Sequence, residues 1–259
     1  MSSAFLSSQS MVARSFRLTW VFLLRIWILS CLVVQWRVGR TESRLENISY
    51  GIKVLFEDNH ILMTYKPAGI LSQEDATGDP DMLTVLKEYL KIKYNKPGNV
   101  YLGLVHRLDR PVGGLMVFAK TTKAASRICE QIRNRTVEKY YRACVRGEIR
   151  PEKGTLKGTI VKDTSLNRAR LTDNLTDKDG KEAELDYQLV AYRQSISLIE
   201  VHLKTGRAHQ IRLQLSEAGF PIIGDRKYGE DQPGRGDICL ESYKMAFNHP
   251  TSKERLTFV

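Results

Sequence analysis

The chain has 259 residues, 42% apolar and 27% charged, with a net charge of +11 and a pI near 9.5. That composition excludes a disordered or collagen-like chain and leaves room for one large domain or two small ones. The basic surplus points to a polyanionic partner, either nucleic acid or an acidic membrane face.

The charge is uneven. Residues 1–41 carry Arg14, Arg17, Arg25, Arg37 and Arg40 and no acid, leaving 35 basic against 29 acidic side chains in the remainder. Trp20 to Val34 is apolar apart from Arg25 and Ser30, but its fifteen residues fall short of the ~20 a membrane span needs. An Arg-rich, Ser-containing, acid-free leader fits an organelle transit peptide; a signal peptide and a membrane-surface anchor are further readings. The expectation is that residues 1–47 lie outside the fold, as a cleaved leader or through a start codon placed too far upstream, and that 48–259 form the working domain. Membrane attachment is not expected. Localisation is then cytoplasmic, or mitochondrial or plastid if residues 1–41 are a transit peptide. Cys31, Cys129, Cys144 and Cys239 form no CxxC and have no His at zinc-finger spacing, so free thiols are expected.

From residue 52 strands and helices alternate. Lys53–Phe56 and Ile61–Tyr65 read as a hairpin around Glu57-Asp58-Asn59, closed by the stop Lys66-Pro67-Ala68-Gly69. Residues 82–94 fit an amphipathic helix with Leu83, Leu86, Leu90 and Tyr94 on its apolar stripe. Leu115–Ala119 reads as a buried strand. A helix follows over 122–134, capped by Thr121 or Thr122, with Ala125, Ile128, Cys129 and Ile132 facing inward. Lys139–Val145 alternates, with Tyr141, Ala143 and Val145 on the apolar face. Residues 163–182 are polar and read as a long exposed hairpin or loop. Asp186–Tyr192 and Ile196–Lys204 are further strands, and Thr205-Gly206-Arg207 breaks the second. A helix is expected from near Ala208 to a stop at Gly219, followed by the basic loop Gly224–Gly229. The sum is α+β: a large mixed, mostly antiparallel sheet with flanking helices.

Three constellations can carry chemistry. Asp109 lies in HRLDR (106–110), a carboxylate among cations, which favours its ionised form. It suits a nucleophile or the anchor of an ion pair. Tyr141 sits on the inward face of its strand, where it either stacks on a base or moves a proton, or is a core tyrosine satisfied by backbone. TGRAHQIRLQL (205–215) brings Arg207, His209 and Arg212 together just after a strand end. On a helix His209 and Arg212 share a face, able to hold phosphates or pair with a buried carboxylate, or to remain as solvated charge. No metal is expected, because His209 lacks a second ligand at metal spacing. No phosphate loop, dinucleotide fingerprint, HExxH or GxSxG occurs, so no cofactor is implied.

Taken in order, four blocks resemble the RluA-type family of pseudouridine synthases: KPAGILSQ (66–73), HRLDRPVGGLMVFAKT (106–121), KYYRACVRG (139–147) and TGRAHQIRLQLSEAGFPIIGDRKYG (205–229). The resemblance spans about residues 52–259 and implies the pseudouridine synthase catalytic fold and isomerisation of uridine to pseudouridine in rRNA or tRNA. It implies that Asp109 is the nucleophile, acting at the ribose C1′ side, that Tyr141 is a proton acceptor and stacking partner for the base, and that Arg212 pairs with the catalytic carboxylate. It also implies that His106 and Arg107 help hold RNA and open the stack, with Arg110, Arg207 and His209 as further RNA contacts. The chain departs from the family where x-T-S-G often follows HRLDR: here Pro111-Val112-Gly113-Gly114 stands, lacking two hydroxyls. The S4 RNA-binding domain of many relatives is also expected to be absent. A monomer with RNA as its partner is expected. The competing readings are a non-catalytic RNA-binding protein on the same fold and, on residues 20–34 alone, a membrane-attached adaptor.

Overall fold

The structure, a computed structural model, describes residues 46–163, 168–172, 179–229 and 237–259. The leader expected over 1–47 therefore lies almost wholly outside the described residues. The strands are β1 (Glu46–Asn47), β2 (Lys53–Glu57), β3 (Ile61–Lys66), β4 (Gly103–Leu104), β5 (Gly113–Ala119), β6 (Glu138–Arg146), β7 (Lys153–Asp163), β8 (Arg168–Thr172), β9 (Lys181–Arg193), β10 (Ile196–Leu203), β11 (Leu240–Asn248) and β12 (Arg255–Phe258). The helices are α1 (Met82–Lys93), α2 (Thr122–Arg133) and α3 (Gln210–Glu217). One sheet runs in the order β1-β2-β3-β5-β11-β6-β10-β9-β7-β8, with β4 on β5 and β12 on β11. Every named pairing is antiparallel except β5 with β11. The α+β expectation holds.

Local chemistry explains most of the elements. Asp58 Oδ1 accepts from the His60 and Ile61 amides, turning the chain between β2 and β3. Asp81 caps α1 by accepting from the Thr84 amide, and Thr121 caps α2 through the Ala124 amide. The expected α1 stripe shifts: Met82, Leu86 and Leu90 are its buried residues, while Tyr94 lies past the last turn, exposed, its hydroxyl on Glu57.

The start of α3 needs correction. It begins at Gln210, not near Ala208, and His209 takes a left-handed conformation with φ of 53°. The cause is Gln210, whose Oε1 reaches back to accept from the Thr205 hydroxyl and the Arg207 amide, wrapping the turn before the helix. The stop at Gly219 is as expected. Its φ of +84° and the bonds from the Gly219 and Phe220 amides to the Ser216 and Leu215 carbonyls form a Schellman closure. The polar stretch 163–182 contributes a hairpin arm, β8 paired with β7.

The core lies on both faces of the sheet. On one face α1 and α3 pack against Leu62, Met116, Phe118, Tyr141, Ala143 and Val145. On the other, α2 packs against Ile61, Met63, Leu115, Val117 and Phe247. All seven residues of β5 are buried, which explains its continuous apolar run.

Candidate active site

Asp109 sits in the loop that leads into β5, at the middle of the sheet. That loop is held from behind by KPAGILSQ. The Lys66 ammonium, fully buried, donates to the carbonyls of Pro67, Arg110 and Val112 at 3.1, 3.1 and 2.8 Å. The Gly69 amide also donates to Arg110, at 2.8 Å. Ser72 Oγ donates to the Leu108 carbonyl and accepts from its amide. The first block thus fixes the backbone of the second over Leu108–Val112. Burial pushes Lys66 down to about 8, against the opposing pull of Asp109's negative charge.

Arg212, on α3, is buried and spans two carboxylates. Its Nε and Nη2 meet Asp225 Oδ2 and Oδ1 at 2.8 and 2.7 Å, and its Nη1 donates to Asp109 Oδ2 at 3.0 Å. The Asp225 side chain is sealed from solvent while Asp109 keeps 28% of its surface exposed. Asp225 is therefore the inner anchor and Asp109 the reachable end. Burial works to raise the Asp225 pKa, but the Arg212 hydrogen bonds and charge, with the Lys227 and Tyr228 amides, hold it below the usual carboxylate range. Burial works against the Arg212 charge, and its two carboxylates more than offset that. The bidentate fork fixes the guanidinium plane, which a point charge could not do.

His209 faces the same carboxylate, its Nε2 3.9 Å from Asp109 Oδ2. The Tyr228 hydroxyl accepts from the Ala169 amide and lies 2.7 Å from His209 Nδ1, so its proton is free to point at that nitrogen. This leaves Nε2–H directed toward Asp109. Burial lowers the His209 pKa, which keeps the ring neutral.

Tyr141 lies on β6 with its ring buried in the same cleft, directly opposite Ser242 of β11. Burial pushes its hydroxyl up, Ser242 acts against this, and the negative charge of Asp109 adds to the rise. The phenol therefore keeps its proton at neutral pH. Asp109, Tyr141, Arg212 and His209 all line one open cleft of about 1490 Å³.

The remaining candidates divide. Arg107 is exposed on the cleft wall with no hydrogen-bond partner among the described residues. Arg110 is tied to the segment between β3 and α1 by Asp79 at 2.7 Å and the Gly69 carbonyl at 3.0 Å. Arg207 donates to the Glu182 carbonyl from the cleft rim. His106 turns inward: its Nε2 accepts from the Val117 amide at 3.1 Å, and burial, with the nearby Lys139 charge, pushes its pKa down to about 3. Sequence reasoning passed over Lys66, Asp225 and Tyr228. Asp225 stood in a loop that reads as basic, and only its partnership with Arg212 across thirteen residues marks it. Among the described residues no group of three His, Cys, Asp or Glu could hold a metal, and no helix is long and apolar enough to cross a membrane.

Comparison with known proteins gives a consistent result. The family described as RNA pseudouridylate synthase matches residues 60–217. The chain is 34% identical over 209 residues to an RNA pseudouridine synthase of Bacillus subtilis, YhcT, covering 79% of this chain and 67% of that one. It is 30% identical over 221 residues to ribosomal large subunit pseudouridine synthase D of Zymomonas mobilis, covering 80% and 68%. Among solved structures, human RNA pseudouridylate synthase domain containing 4 superposes with a TM-score of 0.67 at 23% identity, over 80% of this chain and 87% of that chain, a likeness of fold.

Proposed function

The chain belongs to the RNA pseudouridylate synthase family, and from that premise we propose that Asp109 is the nucleophile of uridine isomerisation in large-subunit ribosomal RNA. The observation that carries the assignment is the Asp225–Arg212–Asp109 relay. It offers one oriented carboxylate to an open cleft and buries the other. In the proposed course, Asp109 adds to the ribose C1′ as the C1′–N1 bond breaks, and uracil leaves with the electron pair. Uracil turns, C5 bonds to C1′ and Asp109 departs; C5 then loses its proton and N1 gains one. Arg212 orients the carboxylate through both halves. Tyr141 enters as a neutral phenol, stacking on the base and hydrogen-bonding to it, because its raised pKa works against a role as a standing base. The target must leave its stack, which costs a few kcal/mol, and phosphate contacts along the basic cleft offset that cost.

Ribosomal RNA is preferred over tRNA because several relatives carry large-subunit names, the Zymomonas protein and a Haemophilus influenzae synthase C among them. Asp109→Asn should abolish tritium release from C5-labelled uridine in unmodified rRNA transcripts while melting temperature and RNA affinity stay near wild type. Full activity in that variant would refute the assignment. Mapping pseudouridine in rRNA and tRNA from cells with and without the gene decides the substrate.

A further inference from the structure

Lys139 is a buried cation with nothing to neutralise it. It begins the inward face of β6, two residues before Tyr141, and only 9% of its surface is exposed. No carboxylate and no hydrogen-bond acceptor among the described residues reaches its ammonium. Its environment lowers its pKa by burial alone. Leaving a buried charge unpaired is costly, so such a group is retained where a ligand completes it.

A second donor lies beside it. His106 Nε2 accepts from the Val117 amide, so in the neutral ring the proton sits on Nδ1. That N–H likewise has no acceptor among the described residues. Lys139 and His106 both line the cleft that holds Asp109. Gly206 lines the same cleft and lies close against the ammonium: a Cβ there would come within 3.3 Å of the Lys139 Nζ. Two donors with no acceptor, both lining the cleft, describe a site for an oxyanion. Beyond it the cleft wall carries Arg133 and Arg135, exposed at the end of α2.

We propose that Lys139 Nζ and His106 Nδ1–H bind a backbone phosphate of the RNA next to the extruded uridine. This inference rests on the reading that RNA occupies the cleft, but not on Asp109 being the nucleophile. Two strand positions separate Lys139 from Tyr141, roughly 7 Å at the usual rise, a distance one sugar can bridge between a base on Tyr141 and its phosphate.

The test is binding without turnover, in the full chain carrying Asp109→Asn, with unmodified large-subunit rRNA and tRNA transcripts over a salt series. Adding Lys139→Met should weaken binding about tenfold or more, as expected for a lost charged hydrogen bond, and lower the slope of log K against log salt by about 0.7–0.9, one phosphate contact. Lys139→Arg should keep the slope. Without RNA, Lys139→Met should melt higher than its parent, because an unpaired buried charge is gone. An unchanged salt slope overturns the subsite, and so does a lower melting temperature, which would mean that the fold itself satisfies the ammonium. If the Asp109→Asn parent binds no transcript at all, the RNA reading of the cleft falls and the subsite with it; a catalytically active Asp109→Asn protein that still shows the Lys139 slope change would overturn only the nucleophile.

Discussion

Single side chains set the electrostatics of this site, and Asp225 shows how. Arg212 would otherwise be a buried cation facing a partly exposed carboxylate; Asp225 supplies the second, fully buried charge that fixes its plane. Asp225→Asn keeps the shape and removes that charge. It should cost about 3 kcal/mol of stability, as for breaking a buried pair, and lower kcat far more than it raises KM, since Arg212 then swings between partners. Folding lowers the Asp225 pKa, so its contribution is complete above the unfolded value of about 4 and is lost as pH falls below that through the folded value. The variant should therefore show a flatter loss of stability below pH 4 than wild type in acid melts. The departure at Val112-Gly113 has a simple structure. Val112 is buried in the apolar core with its carbonyl on Lys66, and a Cβ on Gly113 would meet the Tyr65 hydroxyl at 3.3 Å and the Lys66 carbonyl at 3.4 Å.

At the scale of elements, the active loop is only as firm as the segment beneath it. Lys66 satisfies three carbonyls with the three protons of an ammonium. Above its pKa of about 8 only two protons remain, so one carbonyl is orphaned and the Asp109 loop loosens. Activity should fall on the alkaline side with a midpoint near pH 8, and Lys66→Met should abolish that limb while lowering kcat at every pH. The stability signature has the opposite sign. The unfolded chain holds this proton up to about pH 10.4, so the Lys66 contribution to stability grows between pH 8 and 10.4. Single-turnover rates and melts over the same pH range check both. The regularity that makes β5 and the β2–β3 hairpin legible in sequence is absent from the elements that escaped it. In β11 a bulge between Ser242 and Lys244 breaks the alternation: Leu240 and Ser242 are buried, then Met245, Ala246 and Phe247 in a row. In β7 the first seven positions never reach full burial, so its sequence lacks an apolar face. The four motif blocks were legible because each is contiguous. Lys66, Lys139 and Asp225 lay within those blocks, but their roles come from contacts across the fold that no local pattern records.

For the whole molecule, the decisive feature is a seam. Among the described residues, the strands β1, β2, β3, β4 and β5 hydrogen-bond to the strands β6–β12 only where β5 runs parallel to β11, at Gly113 with Glu241 and Gly114 with Ser242. The catalytic groups come from both sides of it: Asp109 precedes β5, while Tyr141 stands on β6 and Arg212 follows β10. Closing the seam is therefore the same event as assembling the site. Gly114 makes the approach possible. Its φ is +126°, and a Cβ would lie 2.3 Å from the Ser242 carbonyl oxygen and 2.6 Å from its amide nitrogen, both backbone atoms that cannot step aside. Gly147 is the fitting control, with a φ of +84° and no atom within 4 Å of an added Cβ. Gly147→Ala should cost about 1–2 kcal/mol, the strain of a left-handed alanine, and leave turnover intact. Gly114→Ala adds a backbone collision to that strain, so it should lower the melting temperature several times more and lose activity even at temperatures where the protein remains folded. Equal melting shifts for the two variants would show that the seam can open without cost, and that the halves hold Asp109 and Arg212 together by some other contact.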